Sequence, residues 1–143
     1  MERPYVFLGG TCGKNNWRAQ FISELLAANI PAHRIFNPVV PDWTQECQAQ
    51  EDNAKLTCHY KLFYIADPQD SDVPQLSTYS IVEALMGLYD DPARTIVVFD
   101  KTGVTGHALK SLNKIEKDFQ SRFPGSILTR AQAIMTLLRD CPA

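Results

Sequence analysis

Short apolar runs rich in β-branched and aromatic residues alternate along the chain with segments whose apolar residues recur every three or four positions, the pattern of strands alternating with helices. The run "YVFLGG" (5–10) predicts a first strand, and "NWRAQFISELLAAN" (16–29), with Phe21, Leu25 and Ala28 on one face, predicts the helix after it. "RIFNP" (34–38) reads as a short second strand stopped by Pro38, and the polar "TQECQAQEDNAKLTCH" (44–59) as a solvated helix. "KLFYIAD" (61–67) predicts a third strand, "SIVEALMGLYDD" (80–91) a third helix, and "TIVVFD" (95–100) a fourth strand apolar enough to be covered on both faces. "GHALKSLNKIEKDFQSRF" (106–123), "SILT" (126–129) and "AQAIMTLLRD" (131–140) then supply helix, strand and helix. Five strands alternating with helices predict a five-stranded, mostly parallel, doubly wound sheet with right-handed crossovers, a three-layer sandwich of flavodoxin or Rossmann-like type.

At 143 residues with 45% hydrophobic content, the chain is long enough to bury one core, and we expect a single domain over 1–143 without an internal repeat. The formal net charge is −2 and the basic residues are scattered, which argues against a nucleic-acid backbone or an anionic membrane as partner and for a small molecule. Cys12, Cys47, Cys58 and Cys141 form neither a CxxC nor a tight Cys/His cluster, so no zinc site and no disulfide framework is expected. Cys58 and His59 are adjacent, and neighbours on a strand point to opposite faces, which disfavours chelation. No metal and no cofactor is implied. No apolar run reaches the length of a membrane span, and "MERPYVFLGG" lacks the layout of a signal peptide, so a reduced, cytoplasmic setting is expected.

In doubly wound sheets ligands bind beyond the carboxyl ends of the strands, where strand order reverses. The candidate strand ends carry Gly9 and Gly10, Asn37, Asp67 and Asp100, and Glu83 stands in the helix after the third strand. The loop "GGTCGKNNWR" (9–18) is not a Walker loop, because Gly9 and Gly13 are too close and Asn15 follows Lys14. It also fails the dinucleotide fingerprint, since Thr11 stands where the second glycine belongs. Consecutive glycines still permit close approach of a ligand to the backbone, and equally a plain tight turn. For Glu83 two readings stand open. Ser80 to Glu83 spells a capping box, in which the carboxylate reaches back to the Ser80 amide. An apolar stripe through Ile81, Leu85 and Leu88, with Val82 and Tyr89 beside it, places Glu83 opposite the buried face. The same first turn overhangs the expected crevice, where exposure means exposure to a ligand.

The order of elements, together with "VFLGG", "WR", "FNP", "DNAKLTCHYKLFYIADP", "STYSIVEAL" and "GHALKSL", resembles the nucleoside 2-deoxyribosyltransferase-like family over residues 5–112, closest to its compact branch. The resemblance implies that Glu83 is the nucleophile that attacks the anomeric carbon of a nucleoside or nucleotide and holds the sugar as an ester, which is chemistry suited to a carboxylate. The resemblance also implies an acid just before strand three that protonates the leaving base, with Asp52 as the first choice and Glu51 as the second. The family's further acid before the nucleophile is replaced here by Ser77, which would bond a sugar hydroxyl, with Asp70 or Asp72 as stand-ins. The phenol that orients the nucleophile in some members is replaced on strand one by Phe7, with Tyr79 as a substitute. Gly9, Gly10, Arg18 of the "WR" pair and Asn37 complete the expected substrate contacts. The resemblance also implies a homo-oligomer. Two rival functions are a nucleotide or NAD-type N-glycohydrolase using the same glutamate, and a catalytically inactive nucleoside- or nucleotide-binding domain in which Glu83 is a cap.

Overall fold

The computed structural model describes residues 3–12, 16–68 and 77–142. Four parallel strands form one sheet: β1 (Val6–Gly10), β2 (Ile35–Phe36), β3 (Tyr60–Ala66) and β4 (Thr95–Asp100), in the spatial order β2-β1-β3-β4. Among the described residues five helices surround it: α1 (Trp17–Ala27), α2 (Gln45–Thr57), α3 (Thr78–Asp90), α4 (Gly106–Arg122) and α5 (Arg130–Asp140). Short 3-10 turns at Ala32–Arg34 and Pro92–Arg94 lead into β2 and β4. The expected α/β class with a parallel, helix-covered sheet is the one found.

Alternation along the strands builds two cores, as expected for a sheet covered on both faces. Val6, Leu8, Leu62, Tyr64, Ile96 and Val98 face α1 and α5, where Trp17, Phe21, Leu25, Ala133 and Leu137 are buried. Phe7, Phe63, Ile65, Val97 and Phe99 face the opposite way, against Ala54 of α2, Ala84 and Leu88 of α3, and Leu112 and Phe119 of α4.

Among the described residues the sheet has four strands rather than the expected five. Residues 126–129 contribute an isolated bridge, Val97 with Ile127, closed by Val97 N–H to Ser126 O at 2.9 Å and Leu128 N–H to Val97 O at 3.0 Å. The ladder stops there because Thr129 is already the N-cap of α5. Its hydroxyl accepts from the Gln132 amide, and the Gln132 side chain accepts from the Thr129 amide, a full capping box.

The expected capping box at Ser80 and Glu83 does not form. The helix begins two residues earlier, with Ser77 as N-cap, so Ser80 lies inside the first turn and Glu83 in the second. The buried face of α3 is also rotated from the expected stripe. Small residues Ala84 and Gly87 bring the helix close to the sheet beside Leu88, while Ile81 and Leu85 are partly buried. Val82 and Tyr89 are turned outward, 46% and 60% exposed. Glu83, one turn before Gly87, therefore sits on the edge of the buried face that looks toward α2.

Sheet order reverses between β1 and β3: the chain passes from β1 outward to β2, then crosses to pair β3 on the other side of β1. The crevice required by this topology opens above the carboxyl ends of these strands.

Candidate functional site at the sheet switch point

A cleft of about 570 Å³ occupies that position, lined by Gly9 and Gly10 of β1, Arg18 of α1, Glu51 of α2, Glu83 of α3, and the segment from Pro38 to Val40 with Trp43. Its floor needs both glycines. A Cβ on Gly9 would stand 2.7 Å from the Phe63 ring, and Gly10 has φ +122° with its Cβ position 2.1 Å from the Tyr64 carbonyl oxygen. The backbone of β1 thus reaches the cleft without side chains in between.

Glu83 projects into the cleft from the second turn of α3, and its side chain is 14% exposed. Lys55 Nζ, from α2, donates to Glu83 Oε2 at 2.7 Å. Among the described residues this is the hydrogen bond that Glu83 makes, and it leaves Oε1 without a protein donor. Lys55 is also 3.7 Å from Glu51 Oε1, one helical turn back. Burial works against the charge on Lys55, but the bond to Glu83 and the charges of Glu83 and Glu51 outweigh it and raise its pKa. Burial also raises the pKa of Glu51, reinforced by the charges of Glu83 and Asp52 and opposed by Lys55.

The two acids expected near the end of α2 part company. Glu51 lines the cleft. Asp52 points out of it: its Oδ1 accepts from Gln48 Nε2 at 2.9 Å, and it borders a shallow pocket on the outer side of Lys55 and Glu83.

Arg18 lines the cleft but directs its donors inward. Its Nε–H donates to Leu8 O at 3.2 Å, and its terminal nitrogens donate to Thr11 O at 2.8 Å and Gly10 O at 3.3 Å. The guanidinium stacks over Trp17 at 4.7 Å, and Trp17 Nε1–H donates to the same Thr11 carbonyl at 2.8 Å. The "WR" pair is thus a clamp on the end of β1. Burial lowers the Arg18 pKa, with Cys12, Glu51 and Glu83 acting in the other direction.

Ser77 borders the cleft, yet its hydroxyl is turned to the interior. Its Oγ–H donates to Asp67 Oδ1 at 2.5 Å, and its amide donates to Asp67 Oδ2 at 2.8 Å. Thr11 Oγ1 lies 2.5 Å from Ser77 Oγ and 3.2 Å from Asp67 Oδ1, and accepts from the Ala66 amide at 2.9 Å. Asp67, 4% exposed, is therefore a knot that ties the ends of β1 and β3 to the start of α3.

Tyr79 lines the mouth and is 71% exposed. Asn37 lies outside the main cleft, in an adjoining hollow shared with Cys12 and Arg18, where its Oδ1 accepts from the Val39 amide at 3.0 Å in an Asx turn. Asp100 faces away, accepting from Tyr64 Oη at 2.7 Å and from the amide and hydroxyl of Thr102. Lys14, Asp70 and Asp72 lie outside the described residues.

Two contributions escaped the sequence reading. Lys55 was legible as the i+4 neighbour of Glu51, since that spacing puts both on one helix face. The apolar wall of Val39, Val40 and Trp43 follows β2 in a segment without periodicity, so no pattern marked it. Trp43 is 57% exposed, a free aromatic face at the rim.

No helix among the described residues is long and apolar enough to cross a membrane. No curated protein and no solved structure matches the chain. A family model does, over residues 3–102, and its span takes in β1 through β4 and the side chains that meet at the cleft, from Gly9 and Arg18 to Glu51, Lys55 and Glu83. The chain belongs to the family described as nucleoside 2-deoxyribosyltransferase like.

Proposed function

We propose that the protein is an enzyme that cleaves or transfers the N-glycosidic bond of a nucleoside through a covalent glycosyl-Glu83 intermediate. The observation that carries this reading is the state of Glu83: a carboxylate in the switch-point cleft, anchored through one oxygen by Lys55, with the other oxygen unoccupied by donors of the described residues and no capping task to perform.

In the first step Glu83 Oε1 attacks C1′, the C–N bond breaks, and the base leaves with a proton supplied by Glu51. In the second step water or a second base attacks C1′, the ester bond breaks and Glu83 is released. Glu51 takes the proton that the acceptor loses, from water in hydrolysis or from the N–H of the second base in transfer, and is thereby restored. Glu51 replaces Asp52 in this role because it lines the cleft, and its burial favours the protonated form that an acid needs. Trp43 offers a face on which the base can stack.

Arg18 commits three of its five N–H donors to the carbonyls of Leu8, Gly10 and Thr11, which supports an unphosphorylated nucleoside over a nucleotide or dinucleotide as the substrate. The inactive-domain reading keeps one supporting observation, namely that Ser77 offers no acid to the sugar and turns its hydroxyl to Asp67.

We also place the protein in the cytoplasm as a homo-oligomer. The exposed stripe of Tyr79, Val82, Met86 and Tyr89 on α3, spaced by three and four residues, supports assembly through that helix. Light scattering of wild type and M86E tests this, with dissociation expected for the variant.

The function is tested by chromatography of wild type incubated with ribo- and deoxynucleosides, nucleotides and NAD, with and without an acceptor base. Base release or exchange from nucleosides is expected. Absence of turnover with every substrate, from folded protein, would favour the binding domain.

A further inference from the structure

Glu83 meets a cation from behind. Lys55 rises from α2 outside the cleft, bordering the shallow pocket formed with Asp52, Leu56, Lys61, Phe63, Met86, Gly87 and Asp90, while Glu83 lines both hollows. Lys55 Nζ lies 5.6 Å over the face of Phe7, whose ring carries no donor of its own. Tyr79, at the mouth and 71% exposed, makes no hydrogen bond to Glu83 among the described residues.

We propose that Lys55 is the positioning residue of this site: its ammonium holds Glu83 Oε2 from the rear, so that Oε1 is presented to the cleft, and it links the nucleophile to the proton carrier Glu51. This assignment rests on the glycosyl-transfer reading above. Three observations carry it. The 2.7 Å bond holds one carboxylate oxygen of Glu83 on the α2 side. The 3.7 Å contact to Glu51 Oε1 places one ammonium between the two acids, on the α2 face that the i+4 spacing dictates. The Phe7 ring beneath restricts where the ammonium can move.

Among the described residues, the charged groups around Lys55 are Glu51 and Asp52 on its own helix, Glu83 and Asp90 on α3, Lys61 on β3, and Arg18 across the cleft. Its electrostatic reach is therefore mainly to the two carboxylates that do the chemistry. Because Lys55 favours the ionised form of Glu51, its removal strengthens proton retention there. An ion pair that only joined α2 to α3 would cost stability when broken and leave the kcat of the folded variant where it was.

The test compares K55M and K55R with wild type on a nucleoside that wild type consumes, with folding checked by circular dichroism and thermal unfolding. K55M is expected to lose about 100-fold in kcat, the scale of a misaimed reacting group, with KM nearly unchanged. The alkaline limb of kcat/KM is expected to move to higher pH. K55R should recover part of the kcat loss, since a guanidinium still donates to the carboxylate. Folded K55M with the kcat and pH profile of wild type would overturn the assignment while leaving the glycosyl-transfer reading intact. Should K55M not fold, K55Q carries the same expectations and the same refutation. A wild type inactive on every nucleoside would refute the parent reading and this role with it.

Discussion

Replacing Ser77 by Ala separates two roles that the position could play. By resemblance Ser77 stands where the family places an acid that holds the sugar. In the structure its Oγ–H is given to Asp67 Oδ1 at 2.5 Å, next to Thr11 Oγ1. Asp67 is 4% exposed, so water cannot easily replace the lost donor. A hydrogen bond to a carboxylate contributes about 1.5–3 kcal/mol. Asp67 would keep the Ser77 amide on Oδ2 and Thr11 on Oδ1, which favours the lower part of that range, about 2 kcal/mol. For a chain of this size that is a fall in Tm of about 4–8 °C. Calorimetry or denaturant unfolding reads the stability, and steady-state kinetics on a nucleoside reads the rest. Expected is a clear loss of stability with KM little changed, together with a modest fall in kcat, because the Asp67 knot sets where α3 begins and so where Glu83 points. Unchanged stability with a raised KM would refute this reasoning and return Ser77 to the sugar.

Three further outcomes follow from the same geometry. Gly10→Ala puts a Cβ 2.1 Å from the Tyr64 carbonyl oxygen at φ +122°, and should cost about 3 kcal/mol or more in denaturant unfolding. Glu51 acts as an acid only while protonated, and its pKa is raised from 4.5, so kcat/KM should fall as pH rises through that elevated value; Glu51→Gln should remove this limb and lower the rate about 10²–10⁴-fold. The raised pKa of Lys55 means that its contribution to stability is fully present below its ordinary 10.5 and is lost as pH rises through the higher folded value. The Tm difference between wild type and K55M should therefore shrink above that pH.

The strands β1, β3 and β4 were legible because each is a predominantly apolar run, interrupted in β3 by Lys61 alone, and such runs belong in a sheet covered on both faces. The switch-point rule then located the cleft from topology alone. The fifth strand was not legible as a mere bridge, because "SILT" has strand composition while Thr129, its last residue, has a stronger use in the capping box with Gln132. On α3 the error was one of phase. Ala84 and Gly87 contribute little to an apolar stripe, yet their small size decides which face approaches the sheet, and that places Glu83 toward α2 rather than opposite the core. The choice between Glu51 and Asp52 was beyond periodicity for a related reason: Ala54 is the one buried residue of α2 among those described, so the helix has almost no stripe from which to read its rotation. Lys55 went unnoticed with it, since its partner Glu83 comes from a different element 28 residues away.

The central claim is a covalent bond between the sugar and Glu83, and intact mass spectrometry tests it directly. Wild type and Glu83→Gln would each be acid-quenched after mixing with a 2′-fluorinated nucleoside, whose electron-poor sugar slows loss of the ester, and the adduct mapped by proteolysis. The account predicts a mass increase equal to the fluorinated sugar on wild type alone, on the peptide carrying Glu83. An adduct on another residue, or turnover of nucleosides by Glu83→Gln at the wild-type rate, would contradict it.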